Sequence, residues 1–192
     1  MALNYLIIDT ETTGLSASHE IIQISVIRCS DKVQRTVNIK AEYPHRASPE
    51  ALRIQGKTFH DLKFGSPKSE AVEIIHEFLL EDGLTPAHRC IVGHNVPFDR
   101  RFLFSTWESV NKKFPADLWL CTKEFTRKLA KRKGLVKPKL NLQASMEIAG
   151  LQPKLGAHNA VVDTMNTNEL FQTLMNENLN HLSLIKNIPH SG

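Results

Sequence analysis

The sequence predicts an α/β protein: a five-stranded mixed sheet, its first three strands antiparallel, flanked by helices. Three observations predict it. Three apolar runs near the N-terminus are joined by links of only a few residues, too short for a parallel crossover. From Ser66 onward, apolar residues at helical spacing alternate with short strand-like runs, the order that lays helices on the faces of a sheet. The chain has 192 residues, 41% hydrophobic and 23% charged, enough to bury one core and ordinary for one globular domain.

The elements follow in order. Asn4–Asp9 is a short apolar run ending in a carboxylate and reads as a buried strand. Glu20–Arg28, rich in isoleucine and valine with polar interruptions, reads as the second. Lys32–Lys40 is the third, with Val33, Val37 and Ile39 on one face. Between Ser66 and Glu81, Ala71, Val72, Ile74, Ile75, Phe78 and Leu79 recur with helical period. Arg89–Gly93 is the fourth strand, and Pro97 opens a helix through Phe98, Phe102, Leu103 and Trp107. Leu118–Cys121 is the fifth strand, followed by a basic helical stretch; two further helices fit Asn141–Ala149 and Asn159–Glu177. Loops fall at Ser16–His19, Ala41–Ser48 and Gly134–Lys139. Residues 1–180 are expected to form a single domain and 181–192 a short tail.

Composition excludes several classes. No apolar run is long enough to span a bilayer, and the N-terminus lacks the basic region of a secretory signal. Cys29, Cys90 and Cys121 are scattered and odd in number, which argues for free thiols in the cytoplasm and against a disulfide framework or zinc knuckle. A net charge of +4 suits a polyanionic partner without requiring one.

Three short segments carry groups that can do chemistry. Asp9-Thr10-Glu11-Thr12-Thr13-Gly14 follows the first strand; in extended chain, Asp9 and Glu11 project to one face. Adjacent carboxylates repel unless a proton or a hard divalent cation holds them, although a polar turn after a strand would use the same residues. Gly93-His94-Asn95-Val96-Pro97-Phe98-Asp99 follows the fourth strand and places Asp99 in the first turn of a helix, where a carboxylate also serves the helix end. His158-Asn159-Ala160-Val161-Val162-Asp163 opens the last helix. Five residues on one helix turn two side chains well away from each other, so His158 and Asp163 share a site only if His158 lies on the preceding loop, near Gly156. There, an imidazole suits a general base. Each segment alone has a structural reading, as cap, turn or solvated face.

In this order, DTETTG (Asp9–Gly14), GHNVPFD (Gly93–Asp99) and HNAVVD (His158–Asp163) resemble the three exonuclease motifs of the DnaQ-like 3′–5′ exonucleases, specifically the DEDDh group. The resemblance runs from residue 5 to about residue 175 and implies a ribonuclease H-like fold. It implies two divalent ions, Mg²⁺ or Mn²⁺, held by Asp9, Glu11, Asp99 and Asp163, with Asp9 bridging, Glu11 and Asp163 on one ion and Asp99 serving the other. It implies that His158 takes the proton from the attacking water, and that nucleoside 5′-monophosphates leave stepwise from the 3′ end of a single strand, DNA slightly favoured over RNA. Thr12, Thr13, Gly14 and Leu15, the last as an apolar wedge, would seat the terminal nucleotide, with Asn95 and Phe98 shaping the pocket. Phe98 and Phe102, four apart, also fit a plain helical core pair. A DNA polymerase is one conceivable partner; a free-standing enzyme or small accessory subunit fits this chain more naturally. An RNA-trimming exoribonuclease and a catalytically inactive binding module are the competing readings.

The basic run from Arg127 to Lys139 reads as a solvated helix end or as a track for a single strand. The chain also departs from the family pattern. Cys121 stands before Thr122 where aspartate is frequent, Asn159 follows His158 where arginine is frequent, and Gln55-Gly56 replaces a common His-Gly.

Overall fold

The computed structural model describes residues 3–156 and 158–190. Its centre is β1 (Asn4–Thr12), whose middle residues are buried from both sides. β2 (Ile21–Arg28) pairs antiparallel with one edge of β1, and β3 (Gln34–Asn38) antiparallel with β2. On the other edge of β1 lies β4 (Arg89–Gly93), parallel, followed by β5 (Leu118–Cys121), also parallel. The sequence leads to five strands; the structure has a sixth, β6 (Lys186–Asn187), antiparallel on β5, giving the order β3-β2-β1-β4-β5-β6.

Among the described residues, six α-helices accompany the sheet: α1 (Pro49–Gln55), α2 (Lys68–Leu80), α3 (Pro97–Glu108), α4 (Thr122–Arg132), α5 (Leu142–Ile148) and α6 (Ala160–Asn176). The strand period of two divides the core between the faces. Leu6, Ile8, Ile24 and Val26 pack with Val72, Ile75, Leu103 and Trp107 of α2 and α3. Ile7, Val92 and Leu120 face the opposite way, against Phe125, Leu129, Met146 and Phe171 of α4, α5 and α6. Each fully buried side chain of this size contributes about 1.5–3 kcal/mol relative to exposure, so both layers hold firmly to β1.

Several boundaries differ from the sequence expectation for identifiable reasons. The third strand starts at Gln34 rather than Lys32, because the Val33 amide donates to Asp31 Oδ1 in a tight turn and Val33 is exposed. The region after Ala41 is not all loop: a 3₁₀ turn spans Pro44–Arg46, and Ser48 caps α1, its hydroxyl accepting from the Ala51 amide. The segment beyond Asn180, read as a tail, is laid against the sheet. Trp119 Nε1 donates to the Ile188 carbonyl, and the Phe114 amide donates to Nδ1 of the buried His190, whose ring stacks on Phe104. Among the described residues, no helix is long and apolar enough to cross a membrane.

Candidate active site

The C-terminal half of β1 brings the first two candidate residues to one face. Asp9 pairs with Ser25 and Glu11 with Gln23 across β2, and the register breaks just after Glu11. The side chains of β2 and β3 fasten the start of α6 above them. The Ala160 amide donates to Gln23 Oε1 at 2.9 Å, and Gln34 Nε2 donates to the Val161 carbonyl at 3.2 Å. Asn159 stays extended as the N-cap, its Oδ1 accepting from the Val161 amide. Asp163, in the first turn, is thereby aimed at β1. Carboxylate oxygens of Asp9, Glu11 and Asp163 all lie within 4.8 Å of one another.

Asp99 enters from the other side. Gly93 makes the tight exit from β4: a Cβ there would meet Val96 at 2.9 Å and the Ile8 carbonyl at 3.2 Å. Pro97 then starts α3. The buried Asp99 carboxylate accepts from the Thr10 amide at 3.1 Å and from Thr10 Oγ1 at 2.8 Å, which pins it to β1 between Asp9 and Glu11.

This crowding shows in the acidities. Burial, then the charges of Asp99, Asp163 and Glu11, hold the Asp9 carboxyl well above the usual carboxylate range. Burial, reinforced by Asp163, pushes Glu11 up to about 7, with Lys57 pulling the other way. Burial raises Asp99 against the two Thr10 hydrogen bonds, and raises Asp163 against the His158 amide and imidazole. Three desolvated carboxylates at this spacing form an all-oxygen donor set that fits a hard divalent cation, which would remove the repulsion.

His158 stands on the loop before α6, in the left-handed region (φ 64°), with its amide donating to Asp163 Oδ2 at 2.9 Å. His158 and Asp163 line one cleft of about 430 Å³, with Asn141, Gln143 and Gly156 on its other walls.

The loop after β1 is fastened throughout. Thr12 Oγ1 donates to the Gly14 carbonyl, the Glu20 amide to Thr13 Oγ1, and the Ser48 amide to the Thr13 carbonyl. The Thr12 and Thr13 hydroxyls therefore hold the loop. A Cβ on Gly14 would lie 2.4 Å from the His19 ring, so any larger residue there would have to displace that imidazole. Leu15 is 75% exposed, and its carbonyl accepts from Arg101 Nη2 at 2.7 Å. Phe98 packs on Phe102 with ring centroids 5.0 Å apart, and the Arg101 guanidinium covers both rings. Asn95 is exposed with φ 70°, its carbonyl accepting from the Phe98 amide.

Two residues of consequence carry no role in the sequence reading. His94, inside the second motif, donates from Nε2 to the Leu140 carbonyl and accepts at Nδ1 from Thr122 Oγ1, both at 2.9 Å. Burial depresses it to about 4 and keeps it neutral. Gln23 is one of the polar interruptions in the isoleucine-rich β2, and that interruption was its signal. The basic run is largely spent within the chain. Arg127 pairs with Glu124 and Arg132 with Glu177, Lys128 binds Ser183, and Lys133 binds the Ile148 carbonyl. All three cysteines are free thiols; Cys90 is buried, and Cys121 packs against the core.

A mixed sheet in this order, helices on both faces and carboxylates gathered at the end of its central strand define a protein of ribonuclease H-like architecture with an acidic site. The sequence pattern of a family described as "Exonuclease" matches residues 6–171, and the chain belongs to that family, the DnaQ-like 3′–5′ exonucleases. No curated protein sequence matches it. Among solved structures, a zinc-bound complex of Escherichia coli exonuclease I with single-stranded DNA superposes with a TM-score of 0.75 at 17% identity, covering 95% of this chain and 42% of that one. Cell-death related nuclease 4 gives 0.73 at 15% identity, covering 92% and 65%. A complex of exonuclease I with SSB-Ct gives 0.72 at 17%, covering 93% and 42%. These likenesses are of fold, and this chain spans about two fifths of the length of exonuclease I.

Proposed function

We propose that this chain is a metal-dependent 3′–5′ exonuclease that releases nucleoside 5′-monophosphates from single-stranded ends. The observation that carries the reading is the mutual approach of the Asp9, Glu11 and Asp163 carboxylates to within 4.8 Å on a desolvated strand end, with Asp99 fixed against Thr10 beside them. In this reading Asp9, Glu11, Asp99 and Asp163 would hold two divalent ions, either Mg²⁺ or Mn²⁺. Such ions neutralise charge on the phosphate and acidify the attacking water. His158, on a loop anchored through its amide to Asp163, accepts the proton of that water as general base. Leu15 and Phe98 offer apolar contact to the terminal base, on backbone made rigid by Thr12, Thr13, Gly14 and Arg101. Asn95 shapes the turn between them. We read residues 1–180 as the exonuclease domain, with the segment after it laid on the sheet edge, and the free thiols suit a cytoplasmic enzyme.

The test is incubation of a 5′-labelled single strand with Mg²⁺, in parallel as DNA and as matched RNA. Stepwise shortening from the 3′ end is expected, and the ratio of the two rates assigns the sugar. Folded protein that leaves both strands intact would overturn the reading. Addition of a polymerase that changes neither rate nor binding would exclude a proofreading partnership with it.

A further inference from the structure

One row of side chains leads away from the candidate site across the sheet. Glu11 of β1 lies opposite Gln23 of β2, which lies opposite Asn38 of β3, and Gln23 Nε2 donates to Asn38 Oδ1 at 2.9 Å. At the end of the row a cavity of about 250 Å³ opens, lined by Asn38, Lys57, Asp61 and Phe64 among others. Gln55 Nε2 donates to the Thr12 carbonyl at 2.9 Å, which ties the end of α1, two residues before Lys57, to the end of β1 beside Glu11.

The walls are preformed. Gly65, with φ 124°, lies so close to the Asn38 backbone that a Cβ would sit 2.7 Å from its carbonyl oxygen, and the Ser66 amide donates to that carbonyl while the Lys40 amide donates to Ser66. This zipper fixes Phe64 beside Asn38. Gly56, left-handed, ends α1 so that the Lys57 amide donates to the Leu52 carbonyl. Phe64 is 60% exposed and supported edge-on by the His60 ring at 5.0 Å. Asp61 is an acid in the lining, and its Oδ2 is occupied by the Thr58 amide and hydroxyl.

A fixed aromatic face, an ammonium group and a carboxamide, continuous with a phosphodiester-cleaving centre, match one nucleotide of a flexible strand: base on ring, phosphate on cation. We propose that this cavity receives an internal nucleotide of the single strand whose 3′ end occupies the carboxylate site, with its base on Phe64 and a phosphate at Lys57. The proposal rests on the exonuclease reading for its occupant, but its test does not require turnover.

Binding of fluorescein-labelled octathymidylate to the full chain, followed by anisotropy in EDTA, reads strand affinity without turnover, and substitutions in the cavity isolate its share. Phe64→Ala should weaken binding about tenfold with the salt dependence unchanged, because stacking is lost and no charge is removed. Phe64→Tyr should bind as wild type does, which separates stacking from disturbance of the turn. Lys57→Ala should lower the slope of log affinity against log salt by about 0.7, the share of one phosphate contact. Octauridylate should show the same losses, since neither contact involves the sugar. Wild type that fails to bind, or alanine variants within twofold of wild type, would overturn the cavity's role and leave the exonuclease reading standing. Binding that the substitutions weaken, in a protein that releases no nucleotide with Mg²⁺, would do the reverse.

Discussion

The backbone amide of His158 donates to Oδ2 of Asp163 at 2.9 Å, so the candidate base is held in place by a candidate metal ligand. One carboxylate thus fixes the conformation of the loop and contributes to the acidic cluster, and substitutions can separate the two tasks. Asp163→Asn keeps an acceptor for the amide while losing the charge; Asp163→Ala loses both. Both variants should lose nearly all turnover. In calorimetry without metal, the asparagine variant should melt at or above the wild-type temperature, and the alanine variant lower by the worth of one charge-assisted hydrogen bond, about 1.5–3 kcal/mol.

His158→Ala leaves every carboxylate in place. Its Mn²⁺ affinity, read by titration calorimetry, should match wild type, while kcat falls by about 10²–10⁴. Equal loss of metal binding and of rate would show that the imidazole belongs to the coordination sphere.

Metal-free protein should lose stability as pH rises from 6.5 to 8. Asp9, Glu11 and Asp163 have folded-state pKa values raised above the unfolded ones, so the folded state holds extra protons; stability from these groups is complete below about pH 4 and is lost as pH rises through their folded values, near 7 for Glu11. The decline over that interval should be about 1–2 kcal/mol. Millimolar Mg²⁺ at pH 8 should restore the melting temperature. Asp9→Asn should raise the metal-free melting temperature at pH 8 and abolish the Mg²⁺ response.

His94 predicts the opposite slope at lower pH. Its folded-state value, depressed to about 4, means that its contribution is fully present above about 6.5 and disappears as pH falls toward 4. His94→Gln should flatten that acid limb of the melting curve. It should also loosen the contact between the end of β4 and the Leu140 backbone, visible as faster amide exchange at Leu140 and Asn141.

A chain terminated at Asn180 should be less stable by about 2–4 kcal/mol, because it loses the β5–β6 pairing and the Ile188 and His190 contacts and uncovers Trp119. Comparison of urea midpoints with those of the full chain measures this.

Much of this architecture was legible because it rests on periodicity. β4 and β5 have the limits their apolar runs indicate, and α3 and α6 begin at Pro97 and after Asn159 as their start signals require. β6 was not legible: Lys186 and Asn187 are both exposed and join the sheet through their backbone alone, which leaves no pattern in the side chains. α1 is only seven residues long and lies in a proline-rich stretch, so its apolar face is too short to show a period. Asp9, Glu11, Asp99 and Asp163 stood out as candidates through the order of their three motifs and the family resemblance those motifs carry, since each position alone also fits a cap or turn. Lys57 and Arg101 did not, since their roles depend on which distant strand or loop the fold sets beside them.

The acidic cluster joins residue 9 and residue 11 to residue 163, and the helix that carries the last of them is pinned by a strand from the first fifth of the chain. The cluster therefore comes together only once residue 163 has been synthesised and α6 has folded back on β2. A fragment that stops short of α6 would hold Asp9 and Glu11 without Asp163, so whatever chemistry three converging carboxylates support waits on the C-terminal third of the fold.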